Sequence, residues 1–215
     1  LHDIGYVEGY YRPYYEAGQY QDVSIFPDMA ALVRCCPDAP SPFNPAVTNM
    51  QFALFASAGP GFGPGTGTMH YWAGVFDEAG MPTAIRFTPY ELWLDFLASG
   101  VPYEPMLWGL DWMSYSAGIS DTPYDDHLAE IEVPILNVTP AGGFAAQTYY
   151  GLSLLGSSDK QTLMPTMGLP AAEDYAHIDL FTYAGSEQLF WAPFAAWIKS
   201  HTNGQGALAP EVAER

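Results

Sequence analysis

Basic residues are nearly missing from this chain: 6 lysines and arginines stand against 24 acidic residues in 215, a formal net charge of −18. A surface so negative repels phosphate backbones and anionic lipid headgroups, which argues against nucleic-acid and membrane-surface roles. Cysteine is scarcer still. Cys35 and Cys36 are adjacent, so no long loop can be stapled within the chain, and two buried thiols are expected rather than a strained vicinal disulfide. No CxxC pair or spaced Cys/His set occurs, so neither a zinc site nor any other metal or cofactor is expected. Long apolar runs are also lacking, so no segment reads as a membrane-spanning helix. The first residues, LHDIGYVEGYY, have no basic stretch and no apolar core, so they do not read as a signal peptide. Without an initiator Met they read as a processed end. With the acidic surface, that suggests a secreted or periplasmic protein.

What is abundant is apolar and aromatic surface, 49% and 15% of the residues, enough for a sizeable folded core. The N-terminal third reads as short helical pieces with Pro13 and Pro27 at their starts or breaks, then a proline-rich stretch, CPDAPSPFNPAVTN. MQFALFASA is an apolar run that fits strand or helix. GPGFGPGTGTMHYW is glycine-rich, yet it fits neither GxGxxG nor Gly-Lys-Ser/Thr, and Pro60 and Pro64 remove backbone donors. It reads as a turn-rich connection. TPYELWLDFLASG predicts a helix with Thr88 as N-cap, Pro89 at its first position, Gly100 as terminator, and an apolar face of Leu92, Trp93, Phe96 and Leu97. Asp125, Asp126 and His127 read as a solvated helix start rather than a metal site.

From Glu132 the texture changes. VPILNVT (133–139) has the β-branched character of a buried parallel strand, AAQTYYGLSLLGS of the helix after it, and KQTLMPTM of a second strand cut short by Pro165. Asn137-Val138-Thr139 matches a glycosylation sequon, a chance match if the strand is buried. The loop GLPAAEDYA then delivers His177, and SEQLFWAPFAAWIKSHT closes as a helix with Leu189, Phe190, Phe194, Trp197 and Ile198 toward the sheet. Strand, helix, strand, His-bearing loop, helix is the ending of a doubly wound α/β domain.

The stretch EVPILNVT…DYAHIDLF…EQLFWAPFAAWI resembles the C-terminal part of the α/β-hydrolase superfamily, and its HIDLF wording is most similar to the acid-lipase-like and esterase branches. The resemblance implies three regions: 1–128 as a mainly helical cap, 129–202 as the last strands and helices of the hydrolase core, and 203–215 as a flexible tail. It also implies that His177 is the catalytic general base and acid. An imidazole on a loop after a parallel strand sits where open α/β sheets bind ligands, and its ordinary pKa near ~6.5 suits proton transfer in both directions. The competing reading of His177 is a core or capping residue. Histidines 2, 70, 127 and 201 default to surface or structural roles.

The rest of the expected machinery is missing. No GxSxG nucleophile elbow occurs. The nearest serines are Ser116 in SYSAG, too close to His177 along the chain, and Ser57 in FASAGP, where Phe55 replaces a small residue. The superfamily's acid commonly follows the penultimate strand, but here that segment is TPAGGFAAQ. Asp159 lies at the wrong end of the sheet, and Asp179 is too near His177, reading as a solvent-facing or helix-capping residue. The expectation is therefore one chain of a proteolytically processed heterodimer. A second polypeptide would carry the nucleophilic Ser and oxyanion hole, and the substrate would be an ester or lactone of an apolar or aromatic compound. Cap aromatics such as Tyr90, Trp93, Trp108 and Trp112 would line its pocket. The alternative is a non-catalytic hydrolase-like protein that binds a hydrophobic ligand or partner.

Overall fold

The computed structural model describes residues 26–59, 70–100, 126–143 and 145–202. Within them α1 (Phe26–Cys35), α2 (Asn49–Ala58) and α3 (Tyr90–Ala98) precede a C-terminal series. That series comprises β3 (Ile135–Val138), α4 (Ala145–Leu154), β4 (Lys160–Leu163), α5 (Asp179–Thr182) and α6 (Ala192–Thr202), while β1 (Gly74–Phe76) and β2 (Pro82–Ile85) form a hairpin between α2 and α3. The class is mixed α/β. The predicted tail and the segments holding Pro13, Trp108, Trp112, Ser116 and Asp125 lie outside the described residues.

The chain divides into two compact units, Leu1–Ala53 with Tyr90–Glu130 and Leu54–Pro89 with Ile131–Arg215. Residues 1–128, expected as a cap, fall partly in each unit. Residues 54–89 belong with the C-terminal unit, because their backbone is hydrogen-bonded into its loops, as described below.

In the first unit α1 carries Pro27 and Asp28 in its first turn and Arg34 in its last, the two charges each suited to its pole of the helix dipole. Met29, Ala30 and Val33 are buried on α1, and Trp93, Leu94 and Leu97 on α3, which packs against it. Arg34 pairs with Asp95 beside this contact. The face of α3 departs from expectation: Leu92 is exposed and Leu94 buried. Cys35 and Cys36 also depart from it, since both are exposed free thiols at the open end of α1. The 3-10 turn Leu128–Glu130 is exposed, and His127 there hydrogen-bonds Glu130 at 2.9 Å.

In the second unit β3 and β4 pair in parallel, Ile135 opposite Lys160 through Val138 opposite Leu163, and α4 is their crossover. Both strands are only half-covered, so β3 is not buried as its composition predicts. Val138 and Leu163 meet a core of Tyr175, Leu180 and Phe190, joined by Phe87, Tyr183, Leu189 and Phe194. The closing helix begins as a π-turn, Glu187–Trp191. Pro193 has no N–H to return to the preceding turn, and the Ala192 N–H reaches back to the Glu187 carbonyl instead. Of the predicted inward face only Phe190 is buried; Ile198 is exposed.

Candidate functional site

Two loops leave the carboxyl ends of the parallel pair, 139–143 after β3 and 164–178 after β4. They are knitted together by backbone bonds. Ala141 N–H donates to the Pro165 carbonyl at 3.0 Å and Gly142 N–H to the Tyr175 carbonyl at 2.8 Å. Gly142 has to be glycine: a Cβ there would lie 2.5 Å from the Asp174 carbonyl oxygen and 2.7 Å from that of Ala171. Gly143 faces the His177 amide, 3.6 Å from where its Cβ would stand. The 139–143 loop, which carries no acid, thus contributes close backbone approach.

The β4 loop is shaped by Asp174. Its buried carboxylate accepts the Thr166 hydroxyl at 2.7 Å and the amides of Met167, Tyr175 and Leu169 at 2.6, 2.6 and 3.2 Å. Burial alone would raise this carboxyl, but the four donors outweigh it and hold it below its ordinary range. Gly168, at φ +73°, supplies the left-handed turn this ring needs.

A third segment, residues 70–74, threads past both loops. His70 N–H donates to the Gly142 carbonyl (3.3 Å), the His70 carbonyl accepts His177 N–H (3.4 Å), and the Tyr71 carbonyl accepts Ile178 N–H (2.7 Å). Gly74 N–H continues to Ala172 (3.4 Å), and Arg86 adds an ion pair to Glu173. The segment is anchored at its far side as well. His70 Nδ1 donates to the Gly59 carbonyl at 3.2 Å, and Trp72 N–H to that of Ser57 at 3.1 Å. A carbonyl only accepts, so Nδ1 carries the proton; Nε2 is a buried lone pair with no partner among the described residues. Burial pushes the His70 pKa down, against the raising effect of its bonds to Gly59 and Ala58.

Asp179 closes the frame. It is fully buried, which corrects the solvent-facing or capping role expected of it. Oδ2 accepts Ala73 N–H at 2.9 Å and Ala176 N–H at 3.0 Å, and Oδ1 accepts the Thr88 hydroxyl at 3.1 Å. Thr88, expected as the N-cap of α3, spends its hydroxyl on Asp179 and on Thr182, 2.6 Å away. Burial pushes the Asp179 carboxyl up to about 6, with the three donors only partly opposing it. Tyr175 sends its hydroxyl to the Asp179 carbonyl at 3.0 Å and shares a hydrogen bond with Ser186.

His177 therefore sits on a loop held from both sides, half-buried, at the carboxyl end of the parallel pair. Burial lowers its pKa, so the imidazole is neutral at pH 7 and able to accept a proton. Ser57 is not its partner in the expected manner. It is buried in the last turn of α2, not exposed on a strand-to-helix elbow. Asp159 stands before β4, where it binds His201 at 3.0 Å. Trp93, named for the pocket, is core of the first unit, while Tyr90 is exposed. The Asn137 amide is buried, which accords with a chance sequon. Sequence reasoning named His177 and gave Thr88 only as an N-cap, and it did not single out Asp174 or the 70–74 segment. Only the hairpin signal in VFDEAGMPTAI, with Asp77 Oδ1 accepting the Ala79 and Met81 amides, could have placed the last of these beside a sheet. No family model, no curated protein and no solved structure matches this chain.

Proposed function

We propose that this chain is the His-bearing part of a serine hydrolase of the α/β-hydrolase type, with the nucleophile and oxyanion hole supplied by a second polypeptide. In this reading His177 takes the proton of the partner's serine as its oxygen attacks the carbonyl of an ester or lactone. It then returns the proton to the departing alcohol, leaving an acyl-enzyme that water cleaves by the same route. The substrate is an apolar or aromatic ester or lactone, and the protein acts outside the cytoplasm.

The observation that carries the reading is the position of a neutral imidazole on a doubly anchored loop beyond the carboxyl end of β4, directly beside the glycine loop that follows β3. The need for a second polypeptide is supported by surface that wants covering. Parallel sheets are normally sheathed on both faces, yet β3 and β4 are half-exposed, and none of the 11 residues of α6 is buried. The second reading, a non-catalytic binder of a hydrophobic ligand or partner, draws on Phe181 and Trp191. These are 55% and 39% exposed and in ring contact with each other.

A fluorophosphonate serine probe on natively purified material separates the two. Labelling of a co-purifying polypeptide, lost when His177 is replaced by Asn, is the expected result. A chain that purifies alone and unlabelled overturns the hydrolase reading and leaves the binding one.

A further inference from the structure

We propose that Cys35 and Cys36 form a chelating dithiol site for a trivalent arsenical, a centre that takes two sulfurs at a bent angle. The site lies in the first unit, and the proposal does not depend on the hydrolase reading.

Both thiols are exposed and free, and the Cys35 thiol donates to the Leu32 carbonyl at 3.5 Å, within its own helix turn. Their backbone is fixed. Cys35 is the last residue of α1, and Cys36 N–H continues its ladder to the Leu32 carbonyl at 2.9 Å. The Cys36 carbonyl accepts the Asn49 side-chain amide at 2.8 Å and the Ala39 amide at 3.2 Å. A disulfide fits this frame poorly. Neighbouring Cα atoms across a trans peptide are about 3.8 Å apart, whereas disulfides want about 4.4–6.8 Å. Drawing the sulfurs to bonding distance would unwind the end of α1. A single bridging atom makes no such demand: two bonds of about 2.3 Å, the length of a zinc–thiolate bond, span about 3.8 Å between sulfurs at a tetrahedral angle, which neighbouring exposed side chains reach by rotation between staggered rotamers.

The electrostatics select the same class. The thiols stand at the negative pole of α1, which disfavours a thiolate and welcomes an electron-poor centre. The Cys36 thiol beside it is the main reason Cys35 is held above its ordinary range, so Cys35 stays a thiol that reacts slowly with one-point electrophiles. Among the described residues no His, Asp or Glu joins them into a three-ligand cluster, which favours a centre satisfied by two sulfurs over a four-coordinate cation. With an aryl arsenoxide two As–S bonds form, the arsenic–oxygen bond breaks, and the oxygen leaves as water with the two thiol protons. No electron changes hands.

The test uses the full chain and one equivalent of phenylarsine oxide, read by intact mass and thiol titration. One adduct is expected, with both thiols consumed, stable to excess glutathione and released by 2,3-dimercaptopropanol. Cys35→Ser and Cys36→Ser should each weaken retention by about 100-fold or more, since the second bond of a chelate forms at high effective concentration. Retention by either single variant equal to that of the native chain overturns the proposal. So does an adduct that forms only after unfolding. Rapid closure of the pair to an intramolecular disulfide by oxidised glutathione, with helix content unchanged by circular dichroism, overturns the geometric argument.

Discussion

The Asp179 carboxylate accepts the Ala73 amide at 2.9 Å across 106 positions of sequence. With the Thr88 hydroxyl 91 positions away on its other oxygen, it joins the segment before β1, the strand end after β2 and the loop that carries His177. One buried side chain holds three separate stretches of backbone in register.

Replacing Asp179 by Ala leaves two buried amides and a buried hydroxyl short of an acceptor. At about 1–3 kcal/mol for each of the three unsatisfied groups, urea unfolding should report a loss of roughly 3 kcal/mol or more. Asn keeps an oxygen for both amides and offers its own N–H to Thr88. Asp179→Asn should therefore lose far less at pH 7.5.

The same pair of proteins gives a pH signature. A carboxyl raised from 3.8 to about 6 binds its proton more tightly folded than unfolded, so its contribution to stability falls as pH rises from about 4 to about 6. The penalty above pH 6 is roughly 3 kcal/mol at 1.36 kcal/mol per unit. His70 and His177, lowered by burial, act in the opposite sense, costing stability as pH falls below 6.5. Asp179→Asn removes only the carboxyl contribution. The stability difference between variant and wild type should shift toward the variant as pH rises from 4 to 7; a flat difference by denaturant titration would contradict a raised Asp179.

Gly142→Ala pushes a methyl group into the carbonyls of Asp174 and Ala171. Overpacking of this kind costs about 1–3 kcal/mol, and here it also pries the glycine loop from the His177 loop. Thermal unfolding should fall, and the His177 ring resonances should move in an imidazole-selective NMR spectrum.

Gly151 is the opposite case. It lies within α4, and a methyl group added at its Cα would meet nothing within 4 Å. Gly151→Ala should raise stability by about 0.5–1 kcal/mol through helix propensity alone, leaving the His177 resonances unmoved.

If the hydrolase reading holds, His177→Asn should lower kcat by about 10³-fold or more with KM little changed. The acidic limb of the rate profile should fall below the ordinary histidine range, because burial depresses the ring. A limb at or above pH 6.5 would place the essential base elsewhere.

Local chemistry made the C-terminal series readable. Ile135 to Val138 is β-branched or leucine-rich around one Asn, Ala145 to Leu154 is rich in helix formers, and both became the elements expected. Pro27 marked the start of α1 because a proline tolerates only the first turn of a helix. Asp179 was misjudged for the reason these succeeded. A lone acid beside a helix start reads locally as a cap, and nothing within a few residues announces that Ala73 and Thr88 will supply its donors. Leu92 and Leu94 were exchanged because both fit an apolar stripe, and only contact with α1 chose between them.

Sequence by itself determined where β3, β4, α3, α4, the closing helix and the His177 loop lie, since propensity, periodicity and proline act over a few residues. The burial of Asp174 and Asp179, the threading of residues 70–74 between two loops, and the exposure of Cys35 and Cys36 were decided only by the tertiary structure. Burial and long-range hydrogen bonding depend on which distant backbone arrives alongside, and that information resides in no single stretch of chain.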